Sequence, residues 1–177
     1  MSKNLNITRN EAIERASLVS DPIYRVSLEL DGKGDTFSCF ASIDFKSKEN
    51  SNTWIDLVSP LVESIWLNGE ELNVTEVFDG TRIKLSNLKL NNQLKIKAQC
   101  SYMNTGEGLH RHIDPVDNEV YIYTQFEVPD CRRVFPVFEQ PDIKGVLNLT
   151  VKTPSNWTVI SNTQTPEPKN IENDFSI

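Results

Sequence analysis

The sequence predicts an all-β fold, an antiparallel β-sandwich or open barrel with one short helix at its amino end. Three observations predict it. Apolar and polar residues alternate along most of the chain, the mark of half-buried strands. Turn residues interrupt that alternation at short, regular intervals. Helical spacing of apolar residues occurs in one stretch, near the start.

That stretch is residues 8–20, TRNEAIERASLVS. Thr8 can cap a helix there and Glu11 completes a T-x-x-E capping box. Ala12, Ile13, Ala16 and Val19 form its apolar stripe. Asp21-Pro22 stops it, because the residue before a proline avoids helical angles. The period then becomes two. Tyr24, Val26, Leu28 and Leu30 share one face, and Phe37, Cys39, Ala41, Ile43 and Phe45 share another, with Asp31-Gly32-Lys33-Gly34 as the turn between them. TWIDLV, VESIWLNG, TRIKL and QLKIKAQCSY follow as strands, separated by Asn68-Gly69, Asp79-Gly80 and Asn91-Asn92. EVYIYTQFE, GVLNLTVK and WTVIS are three more. Trp54, Trp66 and Trp157 all fall in these strands, so packing is their expected role.

Two stretches break the alternation. Residues 104–118, NTGEGLHRHIDPVDN, read as a long polar loop, and such loops are often functional or interfacial. Residues 128–145, VPDCRRVFPVFEQPDIKG, read as an irregular or helical segment with Phe135 and Phe138 near two arginines. Together, 104–145 are expected to present a docking face. The expected organisation is a single β domain over 1–177: helix 8–20, β-sandwich 23–162, and 163–177 as the start of a linker or a truncated strand. The tail ends in mid-pattern, as part of something longer would.

Composition narrows the function classes. At 177 residues the chain can build one core without staples. Hydrophobic residues are 38% and charged residues 24%, which excludes a disordered or collagenous chain. The 18 basic and 25 acidic residues leave a net charge of −7, which argues against nucleic acid and anionic membranes as partners. No apolar run reaches the roughly 18 residues of a membrane span, and the start has no apolar signal core. Cys39, Cys100 and Cys131 are odd in number and widely spaced, which favours a reducing, cytoplasmic setting. Without a signal sequence, the N-x-T sequons at Asn6, Asn73, Asn148 and Asn156 carry little weight.

Few residues point to chemistry. Gln125 and Glu127 take alternate positions at the end of an aromatic strand, beside Tyr121, Tyr123 and Phe126. A carboxylate beside an amide there can hold a cation or an amine. The competing reading pairs Glu127 with Arg132 or Arg133, and spacing alone favours it. Glu127 and Asp130 as a catalytic acid pair are a very weak signal, since any two loop acids fit on paper. His110 and His112 lack an orienting partner, a marked nucleophile and a third metal ligand. Cys131 beside Arg132 could have a lowered pKa. Arg132 and Arg133 could bind an anion, but tying the segment to Asp130, Glu139 and Asp142 is the plainer reading.

The string from TGEGLHRHIDPVDNEVYIYTQFEVPDCRRVFPVFEQPDIKG to TVISN resembles the amino-terminal domain of the aminopeptidase N family of zinc metallopeptidases. The opening TRNEAIERA resembles the actinobacterial branch. YTQFE followed by RRVFPVFEQPD is the specific part. The resemblance implies a saddle-shaped β domain lying against a thermolysin-type catalytic domain of the same polypeptide. That later domain carries GAMEN and HExxH motifs, and neither is present here. Zinc is therefore expected in the missing catalytic domain, with none bound by this chain. By position, Gln125 and Glu127 match the family's T-Q-x-E stretch. The glutamate, with one from GAMEN, would hold the free α-amine of a peptide substrate, and the glutamine would line the first side-chain pocket. Cys131 stands where small residues are common and Val137 where cysteine is common. The resemblance thus implies an enzyme that trims peptides from the amino end, and a fragment inactive alone. A stand-alone β-sandwich binding or adhesion module and a noncatalytic family member remain as alternatives.

Overall fold

A computed structural model of the protein describes residues 6–127, 129–171 and 175–177. The start of the amino-terminal segment, the first residue of 128–145 and part of the tail lie outside these. Helix α1 (Arg9–Leu18) leads into β1 (Ser20–Glu29) and β2 (Thr36–Lys46). Then come β3 (Thr53–Asp56), β4 (Leu61–Leu67), β5 (Glu70–Glu71), a one-turn helix α2 (Val74–Val77), β6 (Arg82–Leu85) and β7 (Asn91–Ser101). The second half holds β8 (Gly108–Ile113), β9 (Val120–Gln125), a 3-10 turn at Cys131–Arg133, β10 (Val146–Pro154), β11 (Asn170–Ile171) and β12 (Phe175–Ser176).

The all-β expectation holds, without a closed barrel among the described residues. Eight strands form one sheet in the order β11-β12-β10-β1-β2-β7-β4-β5, while β3-β6 and β8-β9 form two-stranded sheets. Most pairs are antiparallel, but β10 runs parallel to β1, with Tyr24 opposite Leu147 and Val26 opposite Leu149. Only a hairpin forces antiparallel pairing. β10 reaches β1 after a long excursion, so either direction was open to it.

The alternating residues build the core. Val26, Leu28, Phe37, Cys39, Ala41, Ile43, Phe45, Leu94, Ile96, Ala98 and Cys100 are all buried on one face of the main sheet. Ile55 of β3 and Ile83 and Leu85 of β6 belong to the same core. Burying each large aliphatic contributes about 1.5–3 kcal/mol.

Helix α1 departs from the expected stripe. It ends at Leu18, and Ile13 is 59% exposed. Its buried residue is Arg15. Arg15 Nη1 donates to Asp56 Oδ2 at 2.5 Å, Nε to Gln140 Oε1 at 3.1 Å and Nη2 to the Glu139 carbonyl at 3.2 Å. The guanidinium also lies 4.8 Å from the Trp54 ring centroid, as does that of Arg82. A polar docking residue explains why apolar spacing misjudged the face. Asp21-Pro22 sits inside β1 rather than between elements. Asp21 has φ of 52°, and the β1–β2 register shifts between Ser20 and Ile23, a bulge that spares proline a ladder bond.

The capping box forms as expected. The Glu11 amide donates to Thr8 Oγ1 at 3.3 Å, and the Thr8 amide to Glu11 Oε2 at 2.8 Å. Glu11 also accepts from Arg82 Nη1 at 2.6 Å. The Thr8 backbone bond, then Arg82, hold its pKa at about 2, below the ordinary 4.5. A depressed carboxylate stabilises the fold above its unfolded pKa and loses that contribution as pH falls through the folded value. Thermal scans should therefore show a Glu11-dependent loss of Tm between pH about 4.5 and 2. The loss should be absent in Glu11→Gln.

Two other readings change. Residues 108–113 of the expected loop form β8, which pairs with β9 throughout its length. WTVIS is not a strand: Trp157 packs against the core from an irregular segment and Ile160 is exposed. Residues 170–171 and 175–176 are short strands beside the end of β10.

Candidate functional site

The β8–β9 hairpin places five polar or aromatic residues on one face. Its register sets His112 opposite Tyr121, His110 opposite Tyr123 and Gly108 opposite Gln125. Strand geometry sends alternate residues to the same side, so His110, His112, Tyr121, Tyr123 and Gln125 share a face. Leu109, on the other side, is buried. Tyr121 and Tyr123 stay about half exposed, at 51% and 52%. The rings of His110 and Tyr123 stack at 4.7 Å. His110 Nδ1 accepts from the Gly106 amide at 2.9 Å, which places the proton of the neutral ring on Nε2.

Gln125 is the last residue of β9, and Glu127 lies two residues on, in a turn. They do not continue one strand face as the alternation suggested. Instead the Glu127 amide donates to Gln125 Oε1 at 3.3 Å, so the glutamine side chain caps the chain where the ladder stops. Both side chains are exposed. Among the described residues no ion pair involves Glu127. Arg133 instead pairs with Asp130 (Nε–Oδ1, 2.8 Å) and Glu107 (Nη2–Oε2, 3.2 Å). The Arg132 amide donates to Glu139 Oε2 at 2.7 Å. The Arg133 guanidinium thus ties the segment to nearby acids, as the plainer reading expected of the pair, and Glu127 faces solvent.

Other candidates fall away. Burial, then the Glu139 carboxylate, push the Cys131 thiol up rather than down, so it is no activated nucleophile. Asp130 is engaged by Arg133. No group of three or more His, Cys, Asp or Glu among the described residues could hold a metal ion. Val134, Phe135 and Phe138 are core residues, so part of 104–145 is buried rather than presented as a face. Sequence reasoning missed Gly108. Its φ is +61°, and a Cβ there would stand 2.8 Å from Arg133 Cβ. The visible signal was a glycine opposite a strand end, but alternation through L-x-R-x-I had to be read first.

The whole layout is that of an M1 peptidase amino-terminal domain. The model of the Peptidase M1 N-terminal domain family matches residues 20–177, and the chain belongs to that family. It is 50% identical over 168 residues to aminopeptidase N of Streptomyces lividans, covering 93% of this chain and 20% of that protein. It is 30% identical over 131 residues to a probable M1 family aminopeptidase of Encephalitozoon cuniculi, covering 61% of this chain and 15% of that protein. The chain thus spans about a fifth or less of these relatives. The fold also matches crystal structures of an M1 zinc metallopeptidase from Deinococcus radiodurans. One, a mutant bound to a Tyr-Ser-Ala substrate, gives a TM-score of 0.69 at 14% identity, covering 90% of this chain and 38% of that one. Another mutant structure gives 0.71 at the same identity and coverage.

Proposed function

We propose that this chain is the amino-terminal domain of a zinc-dependent aminopeptidase, and that it forms one wall of the active-site cleft. Gln125 and Glu127 face that cleft, where Glu127 holds the α-ammonium of the peptide and Gln125 meets its first side chain. The observation that supports this reading is the solvent-facing Glu127, outside any ion pair among the described residues, while the acids around it are engaged. That exposure leaves the Glu127 carboxylate accessible to a ligand.

The described residues do not suit a zinc centre, since His110 Nδ1 is occupied and no third ligand stands near. The metal of the proposed enzyme belongs to its catalytic domain, where it would supply an activated water. What this chain does is bind and orient. An ammonium held by a carboxylate is a charge-assisted contact, and it explains trimming from the amino end: an internal peptide bond brings no ammonium and leaves the acid unpaired. Cys39, Cys100 and Cys131 are free thiols, which suits a cytoplasmic enzyme. No helix of the described residues is long and apolar enough to cross a membrane.

The test is amine dependence. The full-length protein should cleave a leucine or alanine arylamide at least about 100-fold faster than its N-acetylated form, because acetylation removes charge-assisted bonds worth about 1.5–3 kcal/mol each. The 177-residue chain alone should cleave neither. Equal rates on both substrates would contradict the proposal, and turnover by the chain alone would contradict the division of labour.

A further inference from the structure

We infer that Arg133 is the positioning residue for Gln125 and Glu127, an inference that rests on the proposed role of Glu127. Its stem supports β8 from below. Gly108 is the cross-strand partner of Gln125, and only the missing Cβ lets its backbone sit so close to Arg133. The head of the same side chain reaches two ways. Nε bonds Asp130, three residues after Glu127, and Nη2 bonds Glu107, one residue before Gly108. One guanidinium thereby ties Asp130, three residues after Glu127, to the entry of the strand that pairs with Gln125.

The clamp has a firm base. The Arg133 amide donates to the Asp130 carbonyl at 3.1 Å, and the next two residues, Val134 and Phe135, are buried in the core. Phe135 in turn meets Phe126, between Gln125 and Glu127, edge-on at 5.9 Å. The core therefore fixes both the clamp and the residue between the two it positions. A lone surface ion pair would contribute little. A planar fork shared by two acids adds direction as well as charge, which a lysine ammonium does not reproduce. Without the clamp, the contacts left around Glu127 and Asp130 among the described residues include the Glu127 amide bond to Gln125 Oε1, the Phe126–Phe135 ring contact and the Arg133 amide bond to the Asp130 carbonyl, none of which ties this stretch to Glu107. A misplacement of about 1 Å in a substrate-positioning group can cost about 100-fold in rate.

The experiment is a double-mutant cycle in the full-length enzyme, read as kcat/KM on a free-amine arylamide. Arg133→Ala should lower it about 10-fold in the wild-type background but less than about 2-fold when Glu127→Ala is already present, because residues acting through one another are not additive. Arg133→Lys should recover little. It also serves as the variant to use if Arg133→Ala fails to fold. Amide exchange at Glu127 reads the positioning apart from catalysis. It should quicken about 10-fold in Arg133→Ala and stay unchanged in Glu127→Ala. An equal loss in both backgrounds, or unchanged exchange in Arg133→Ala, overturns the clamp. If Glu127→Ala itself keeps wild-type kcat/KM, the amine-anchor reading fails, and with it the role of Arg133 in catalysis.

Discussion

Arg15→Ala is expected to lower the unfolding free energy of the domain by about 3–5 kcal/mol, the usual cost of removing one partner from a buried ion pair. The side chains of Arg15 and Asp56 are 0% and 4% exposed, so water cannot replace the lost partner. The carboxylate would keep the Trp54 Nε1 donor at 3.2 Å, the Glu139 amide at 3.2 Å and Arg82 Nε at 3.7 Å. It would lose its shortest contact and its nearest charge. Gln140 Oε1 and the Glu139 carbonyl would lose their donors too, and Trp54 one of its two cations. Helix α1 would then be held by the Glu11–Arg82 pair and the Gln140 side chain on the Ala12 carbonyl. For a domain of this size, Tm should fall by roughly 6–20 °C at about 2–4 °C per kcal/mol. Arg15→Lys should lie between, keeping the charge but not the fork. Thermal and urea unfolding of the three proteins checks this, and a change under about 1 kcal/mol would show that α1 docks without its arginine.

The same arginine shows where the sequence could be read and where it could not. Strands were legible because burial of every second residue is a local, repeated signal: Phe37 to Phe45 and Leu94 to Cys100 are buried as alternation requires. The capping box was legible because Thr8 and Glu11 meet within one turn. Arg15 was not, because its partners Asp56 and Gln140 lie 41 and 125 residues away. β8 hid in a polar string because only Gly108 and Leu109 in it are buried, so no alternation of burial marks it. The parallel pairing of β10 is a property of a long connection and leaves no local trace. At the candidate site, the types and spacing of Gln125 and Glu127 were legible. Which arginine would occupy which acid was not, because Glu107, just before β8, lies far from Arg133 along the sequence.

Glu127 carries the second large effect and the central claim. If it holds the substrate's α-ammonium, Glu127→Ala in the full-length enzyme removes a charge-assisted hydrogen bond of about 1.5–3 kcal/mol. kcat/KM on a free-amine arylamide should fall roughly 10- to 150-fold at about 1.4 kcal/mol per decade. Tm should hardly move, because the side chain is exposed and outside any ion pair among the described residues. Gln125→Ala should change side-chain preference more than amine dependence, with some loosening of the turn through the lost bond to the Glu127 amide. A structural Glu127 makes the opposite forecast: lower Tm with normal kinetics in the folded fraction. The deciding measurement is therefore Tm and kcat/KM on one preparation of Glu127→Ala. The account predicts a Tm within about 1–2 °C of wild type, at about 2–4 °C per kcal/mol, with kcat/KM down at least 10-fold by the same roughly 1.5 kcal/mol minimum. Wild-type kcat/KM in that variant would contradict it.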